Sequence, residues 1–437
     1  MRIEKPANSW RLPFATMMIA SVFCSDAPQG HLIAAGVAAI SLLALAGLWL
    51  LDPSLNRNTL TAGFMLFFVA IAISLPVAMH YGTALFDWSL RGAAPLSFLA
   101  AFFFIRIKSP DDATYVARVI LAACAVWICL VTWDLSAVYS LLPIHRWALH
   151  SNSLLLPYNL AGIAIILFCG RVASGKIAFP LLFALFLLTV GGGYRSHMIL
   201  AGAMLLGYAA LVLHRRNDAK RLAAIVATAL LAIFAFAAIG LFEAAAKSDD
   251  GGVPSCAVSG QRAVRRGPFN IPTRPVAGDT GRILENRFAI EKFLESPVFG
   301  KGLSYAVPSN LIFSGQEDYL RCLETIHGKK YPFVYYTHNL AAYIAMTTGM
   351  IGITAAILII AGTVSSLVRN RIASLDQRIA AAAALTALGL FSLVSAAYTV
   401  PQYNLLIASF AAILAAQIPG TSMKKSPDSG FPASNLM

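Results

Sequence analysis

Tyr335-Tyr336-Thr337-His338-Asn339-Leu340 marks the point where a polar stretch gives way to lipid-soluble sequence. From His338 to Val368 the chain reads HNLAAYIAMTTGMIGITAAILIIAGTVSSLV, with no Asp, Glu, Lys or Arg. A helix rises about 1.5 Å per residue, so about 20 such residues cross the hydrocarbon core of a bilayer. The run predicts a membrane span that opens with a histidine at the membrane surface. Behind it the polar stretch reaches back to Glu243, and before Glu243 the sequence is again apolar. A carrier keeps its substrate site at the midplane between helices. An enzyme acting on a lipid-linked substrate at one membrane face needs a water-exposed segment there, and residues 243–337 supply one.

Composition agrees with a membrane-embedded chain. Of 437 residues, 58% are apolar and 12% charged, with a mean hydropathy of +0.71. A soluble domain carries about a quarter charged residues. The expected fold is an all-α polytopic membrane protein of about 12 transmembrane helices. They are placed near 12–28, 31–51, 60–79, 92–107, 114–133, 154–170, 177–194, 197–213, 222–242, 338–368, 379–398 and 402–419. Residues 1–242 hold spans one to nine and residues 243–337 form a large outer loop with amphipathic helices. Residues 338–419 hold the last three spans, and 420–437 read as a disordered tail.

Orientation follows from the basic residues of short loops. With a cytoplasmic N-terminus the inner segments carry eighteen Lys/Arg, and the short outer segments carry three, Arg91, Arg146 and Arg195. Both termini are therefore expected in the cytoplasm and the large loop on the periplasmic side. The net charge of +13 is then mostly topogenic. It meets membrane lipids and is no sign of nucleic-acid binding. Cys24, Cys124, Cys129 and Cys169 sit in or at the ends of spans as small hydrophobes. Cys256 and Cys322 are the outer pair, for which an oxidising compartment leaves a disulfide open.

Within the outer loop, residues 249–275 are rich in Gly, Pro and Ser with Arg262, Arg265, Arg266 and Arg274 in close order, a solvated loop by pattern. Order returns at Asp279-Thr280-Gly281-Arg282, where Asp279 or Thr280 can cap a helix. That helix has an apolar stripe at Ile283, Leu284, Phe288, Ile290, Phe293 and Leu294, and Ser296-Pro297 stops it. Arg282 falls in its first turn, where a cation opposes the macrodipole, so an anion shared by the guanidinium and the helix amides would compensate. Arg287 is a secondary candidate on another face. Next comes Pro297-Val298-Phe299-Gly300-Lys301-Gly302, whose two glycines permit positive φ and close backbone approach. Thr337 can cap the following span and place His338 in its first turn. Histidine there is more often a polar anchor, yet near-neutral titration is what a general base for a sugar hydroxyl requires. Gly191-Gly192-Gly193-Tyr194-Arg195-Ser196-His197 joins two spans almost without a loop, which puts Arg195 at membrane depth or at its outer face. An anionic ligand suits such an Arg, and His197 is placed to assist.

Together these pieces resemble the O-antigen ligase and polymerase superfamily of bacterial polytopic glycosyltransferases. The matches are Tyr194-Arg195-Ser196 at the start of a span, Gly281-Arg282 opening a loop helix, and Ser296-Pro297-Val298-Phe299-Gly300-Lys301-Gly302 after it. His338-Asn339 then opens the next span, with Gly349 and Gly352 further along. Tyr194 stands where the family usually has Ser. The resemblance implies a fold related to the membrane glycosyltransferases of type C. It also implies transfer of a glycan from undecaprenyl diphosphate to a sugar hydroxyl at the periplasmic face of a bacterial inner membrane. A ligase uses a lipid A–core acceptor, and a polymerase uses another lipid-linked glycan. Arg195 and Arg282 would hold the diphosphate and His338 would act as base. Arg287, Asn339, Gly300, Gly302, Tyr194 and His197 are the expected substrate contacts. No Asp-x-Asp occurs in the outer loop, so neither a metal nor a cofactor is expected. A secondary transporter is the rival class, but it calls for internal repeats and acidic residues at the midplane. Asp26, Asp52, Asp87 and Asp134 all fall at or beyond span ends.

Overall fold

A computed structural model describes residues 9–23, 32–51, 58–138, 157–169, 172, 174–191, 195–215, 219–246, 278–312, 320–321, 324, 330, 332–370 and 372–416. These residues are mostly helical. The helices are α1 (Arg11–Val22), α2 (Leu32–Leu51), α3 (Thr59–His80), α4 (Pro110–Val138), α5 (Pro157–Phe168), α6 (Gly175–Gly191) and α7 (Arg195–Arg215). They continue with α8 (Ala219–Ala246), α9 (Gly278–Glu295), α10 (Ser309–Ile312), α11 (Leu340–Arg369), α12 (Leu375–Ser392) and α13 (Pro401–Ala415). Among the described residues four helical stretches are long and apolar enough to cross a membrane: Thr59–His80, Pro110–Leu130, Ser196–His214 and Leu340–Arg369. The call of a disordered tail at 420–437 and the arginines of 249–275 lie outside the described residues, as do Cys256 and Cys322.

Every residue of α5 and of α13, apart from the partly exposed Pro401 and Ile407, is buried. These two helices form the centre of the bundle. Helix α13 brings Asn404, whose Nδ2 donates to the Pro95 carbonyl at 2.9 Å and the Tyr398 carbonyl at 2.8 Å. Its partner region, expected as a plain span at 92–107, is a broken helical run over residues 85–104. A π turn at Trp88–Ala93 and a 3₁₀ turn at Phe98–Ala100 interrupt it. Pro95 explains the break, because it lacks an N–H and crowds the turn before it. Asn404 takes up a carbonyl at that break, as a buried polar group requires.

Helix α11 is also not the continuous span the apolar run suggests. Gly349 sits at φ 60°, ψ −152°, a conformation foreign to a helix. Groups freed by the break are taken up by the loop 297–302: Lys301 N–H donates to Met346 O at 2.7 Å, Gly302 N–H to Thr347 O at 2.9 Å, and Met350 N–H to Pro297 O at 2.8 Å. Non-helical backbone at membrane depth survives where protein satisfies it in this way. A Cβ on Gly349 would meet Val298 O at 2.5 Å. Gly349→Ala therefore combines backbone strain of about 1–3 kcal/mol with a clash. The expected result is a clearly lower thermal midpoint of the detergent-solubilised protein, and an unchanged midpoint would refute the account of the break. Further along, α11 packs closely on α3, where a Cβ on Gly362 would meet Leu60 Cα at 2.4 Å. Small residues let membrane helices approach to this degree.

Helix α9 begins at Gly278, a turn earlier than the run from Ile283 suggests, and ends at Glu295 as expected. Arg282 is thus past the first turn and its own amide is not among the unsatisfied ones, which corrects the expected dipole argument. The stripe divides: Ile283, Ile290 and Leu294 are exposed, at 67%, 55% and 68%, and Leu284, Phe288 and Phe293 are half-buried, whereas the face turned to protein carries Gly281, Glu285 and Ala289. Gly281 lies where a Cβ would meet Ile312 O at 2.6 Å, so α10 closes on the helix there. The three exposed residues face away from the bundle, as those of an interfacial helix do.

Candidate functional site

The loop before α11 is fixed from two sides. Thr337 N–H donates to Tyr398 Oη at 3.0 Å, and Tyr398 O–H donates back to Thr337 O at 2.8 Å. Thr337 is fully buried and does not cap α11. Asn339 does so instead: its Oδ1 accepts from the amides of Ala341 and Ala342 at 3.0 and 3.3 Å. Asn is at least as good a cap as Thr, and two positions later it leaves both Thr337 and His338 outside the helix. His338 therefore stands on the loop ahead of α11, not in its first turn.

Helix α9 holds His338 in place. The His338 backbone N–H donates to Glu285 Oε1, and His338 Nδ1 lies 3.1 Å from Glu285 Oε2. The Glu285 side chain is 1% exposed and that of His338 12%. One buried carboxylate thus grips both the main chain and the ring of the same residue. A carboxylate against Nδ1 fixes the ring's orientation, keeps the proton on Nδ1 when the ring is neutral, and leaves Nε2 to do acid–base work. Sequence reasoning missed Glu285. Its signal was present: an acid three residues after Arg282, on the face of a helix that shares its loop with the histidine. The Tyr336 ring stands edge-on to the His338 ring at 5.6 Å.

Arg282 lies one turn before Glu285. Its Nε is buried and meets no hydrogen-bond partner among the described residues. A buried guanidinium N–H without a partner is costly, and an anion would remove the cost. Arg195 opens α7, but its side chain and all of Tyr194 lie outside the described residues. His197 is fully buried against the Phe391 ring at 4.2 Å, inside the bundle between α7 and α12. Arg287 is exposed and paired with Glu291 at 3.1 Å, one turn along its own helix. Gly300 and Gly302 are buried, with φ of 69° and 86°. A Cβ on Gly300 would meet Thr347 C at 2.5 Å and one on Gly302 would meet Ala78 Cα at 2.5 Å. They thread the loop 297–302 between α3 and α11.

Between these glycines, Lys301 is only 4% exposed, its Nζ held by Glu295 at 2.8 Å and lying over the Tyr81 ring at 4.0 Å. Burial works to lower the Lys301 pKa, but hydrogen bonds to Glu295 and Tyr81 outweigh it and hold the pKa above the ordinary lysine value. Lys301 is accordingly a fixed positive charge. No cluster of His, Cys, Asp or Glu able to hold a metal occurs among the described residues.

A comparison with curated proteins finds no match to this chain. A family model does match. Every candidate named above, from Tyr194 and Arg195 to Glu285, His338 and Asn339, falls inside residues 180–357. This stretch, somewhat less than half of the chain, matches the family described as O-antigen ligase.

Proposed function

We propose that the protein is a ligase-type glycosyltransferase. It moves a glycan from undecaprenyl diphosphate to a sugar hydroxyl of a lipid A–core acceptor, at the periplasmic face of a bacterial inner membrane. The observation that carries this is the buried Glu285 against His338 Nδ1 at 3.1 Å, on the loop that leads into the long apolar helix α11. In the proposed step His338 Nε2 takes the proton of the acceptor hydroxyl as its oxygen bonds to the anomeric carbon. The bond from that carbon to the phosphate oxygen breaks, and undecaprenyl diphosphate leaves with the electron pair. Glu285 stabilises the imidazolium that results. Charge develops on the leaving diphosphate, which preorganised cations stabilise best. Arg282 supplies one of them, and Arg195 is proposed as the second. The donor diphosphate bond provides the energy, and no metal takes part.

Arg282→Ala is expected to lose transfer by about 10²-fold or more, as removal of a donor to a developing anion does, with the protein still inserted. Arg282→Lys recovers only part of the activity, because an ammonium cannot make the planar two-point contact. Initial rates of the purified variants test this, and a fully active Arg282→Ala would remove the arginine from the site. The assigned sidedness predicts a periplasmic signal for a reporter fused at Ser255 and a cytoplasmic one at Ser374; equal signals would refute it. The lipopolysaccharide profile of a deletion strain tests the choice of reaction. Loss of a ligase removes every long chain, whereas core bearing a single repeat would assign a polymerase instead.

A further inference from the structure

A cleft of about 450 Å³ opens on the outer side of the bundle, walled by Tyr81, Phe288, Tyr305, Phe333 and Tyr335. That volume is within the range of about 300–1,000 Å³ usual for ligand pockets. Its position is set by the site already described. Phe288 is the residue one turn beyond Glu285 on α9, and Tyr335 is three residues before His338 on the same loop. Phe333 lies on a strand (Phe333–Val334) paired antiparallel with Val307–Pro308. The rings make a corner: Tyr305 is near parallel to Phe288 at 6.5 Å between centroids and perpendicular to Tyr81 at 6.3 Å. Phe333 and Tyr81 keep 49% and 38% of their surface open.

Charge is set among these rings. Asp87 lines the cleft and is paired with Arg91 at 3.1 Å, and Arg91 lies over the Tyr335 ring at 4.3 Å. Lys292 also lines it and lies 5.5 Å from the Phe288 ring centre. At the floor Ser304 adopts φ 59°, which is unusual for a side-chain-bearing residue, and its hydroxyl donates to the Asp87 carbonyl at 2.9 Å. Strain of this kind persists where the surroundings fix it, and it gathers at ligand sites.

From these walls we infer a saccharide subsite, which holds a pyranose ring of the glycan beside the reacting centre. The inference rests on the glycosyl-transfer reading above for its substrate class. A pyranose has an apolar C–H face, which stacks on an open aromatic ring, and an edge of hydroxyls, which bond to carboxylate and ammonium groups. The cleft offers both in alternation. An isoprenoid chain would use the rings but offers no hydroxyl to the charged edge of the cleft, where Asp87 pairs with Arg91 and Lys292 with Glu295 and each keeps further hydrogen-bonding capacity. The ring held belongs either to the donor glycan or to the acceptor, and kinetics separate the two.

The test uses full-length protein in detergent and Phe333→Ala, a change at a half-exposed ring that leaves the core intact, with Phe333→Tyr as the conservative control. Saturation-transfer NMR with methyl hexopyranosides should give signals on the wild type that are kept by Phe333→Tyr and by His338→Ala and lost in Phe333→Ala. Loss of one stacking partner should raise the KM for one glycan substrate about fivefold to tenfold, with little change in kcat. A rise for the donor assigns the donor chain, and a rise for the acceptor assigns the acceptor. Pyranoside signals equal in wild type and Phe333→Ala, or absent from the wild type, overturn the subsite. If sugars bind through Phe333 but no glycan is transferred by the wild type, the functional proposal fails and the subsite stands. If transfer proceeds and both KM values are unchanged in Phe333→Ala, the subsite alone fails.

Discussion

Glu285→Gln lowers transfer by about 10²-fold or more while the protein remains folded and inserted. Glutamine has the shape of the glutamate and still accepts the His338 main-chain N–H through its Oε1. Its other terminal atom becomes an N–H₂ group, which donates to Nδ1 and so favours the tautomer whose proton sits on Nε2. That tautomer cannot take a proton from an acceptor hydroxyl. The variant also loses the negative charge that balances the imidazolium as it forms. Glu285→Ala adds a separate cost, because a buried N–H is left without its acceptor, about 1–3 kcal/mol. Thermal melting and turnover measured side by side separate the effects. The Gln variant should keep its melting temperature and lose kcat. Wild-type turnover in Glu285→Gln would mean that the carboxylate only holds the loop.

His338→Ala has the largest expected effect, a fall of roughly 10²–10⁴-fold typical of a removed general base. Donor binding should persist, because the diphosphate is assigned to the arginines and not to the imidazole. A second variant tests whether the ring is a base or only a hydrogen-bond donor. His338→Gln can donate but cannot carry a proton away, so it should be as inactive as His338→Ala. An active Gln variant would remove the base and leave glycosyl transfer standing.

Much of this site was legible in the sequence, and the failures have physical causes. His338, Arg282 and the helix ending at Glu295 followed from short polar punctuations around apolar runs. Periodicity along α9 says which residues share a face and not where that face turns. Ile283, Ile290 and Leu294 face outward, and the small and acidic face of Gly281, Glu285 and Ala289 turns to protein. Glu285 was hidden for that reason, since periodicity marks an acid as surface. The carboxylate in contact with His338 lies 53 positions away in sequence, beyond the reach of any local pattern. The break at Gly349 left no trace in an unbroken apolar run. It depends on the loop 297–302, which is distant in sequence and supplies the missing hydrogen bonds. Thr337 and Asn339 are both competent caps by type, and only the Tyr398 hydroxyl decides which is used.

The most direct measurement is a single-turnover assay on the purified protein in lipid nanodiscs. Undecaprenyl-diphosphate-linked glycan serves as donor and lipid A–core as acceptor, with EDTA present. Release of undecaprenyl diphosphate is followed together with the mass gain of the acceptor. The account predicts that the wild type transfers the glycan despite the chelator and that His338→Ala binds the donor without releasing it. Equal transfer by wild type and His338→Ala, or no transfer by the wild type, would contradict it.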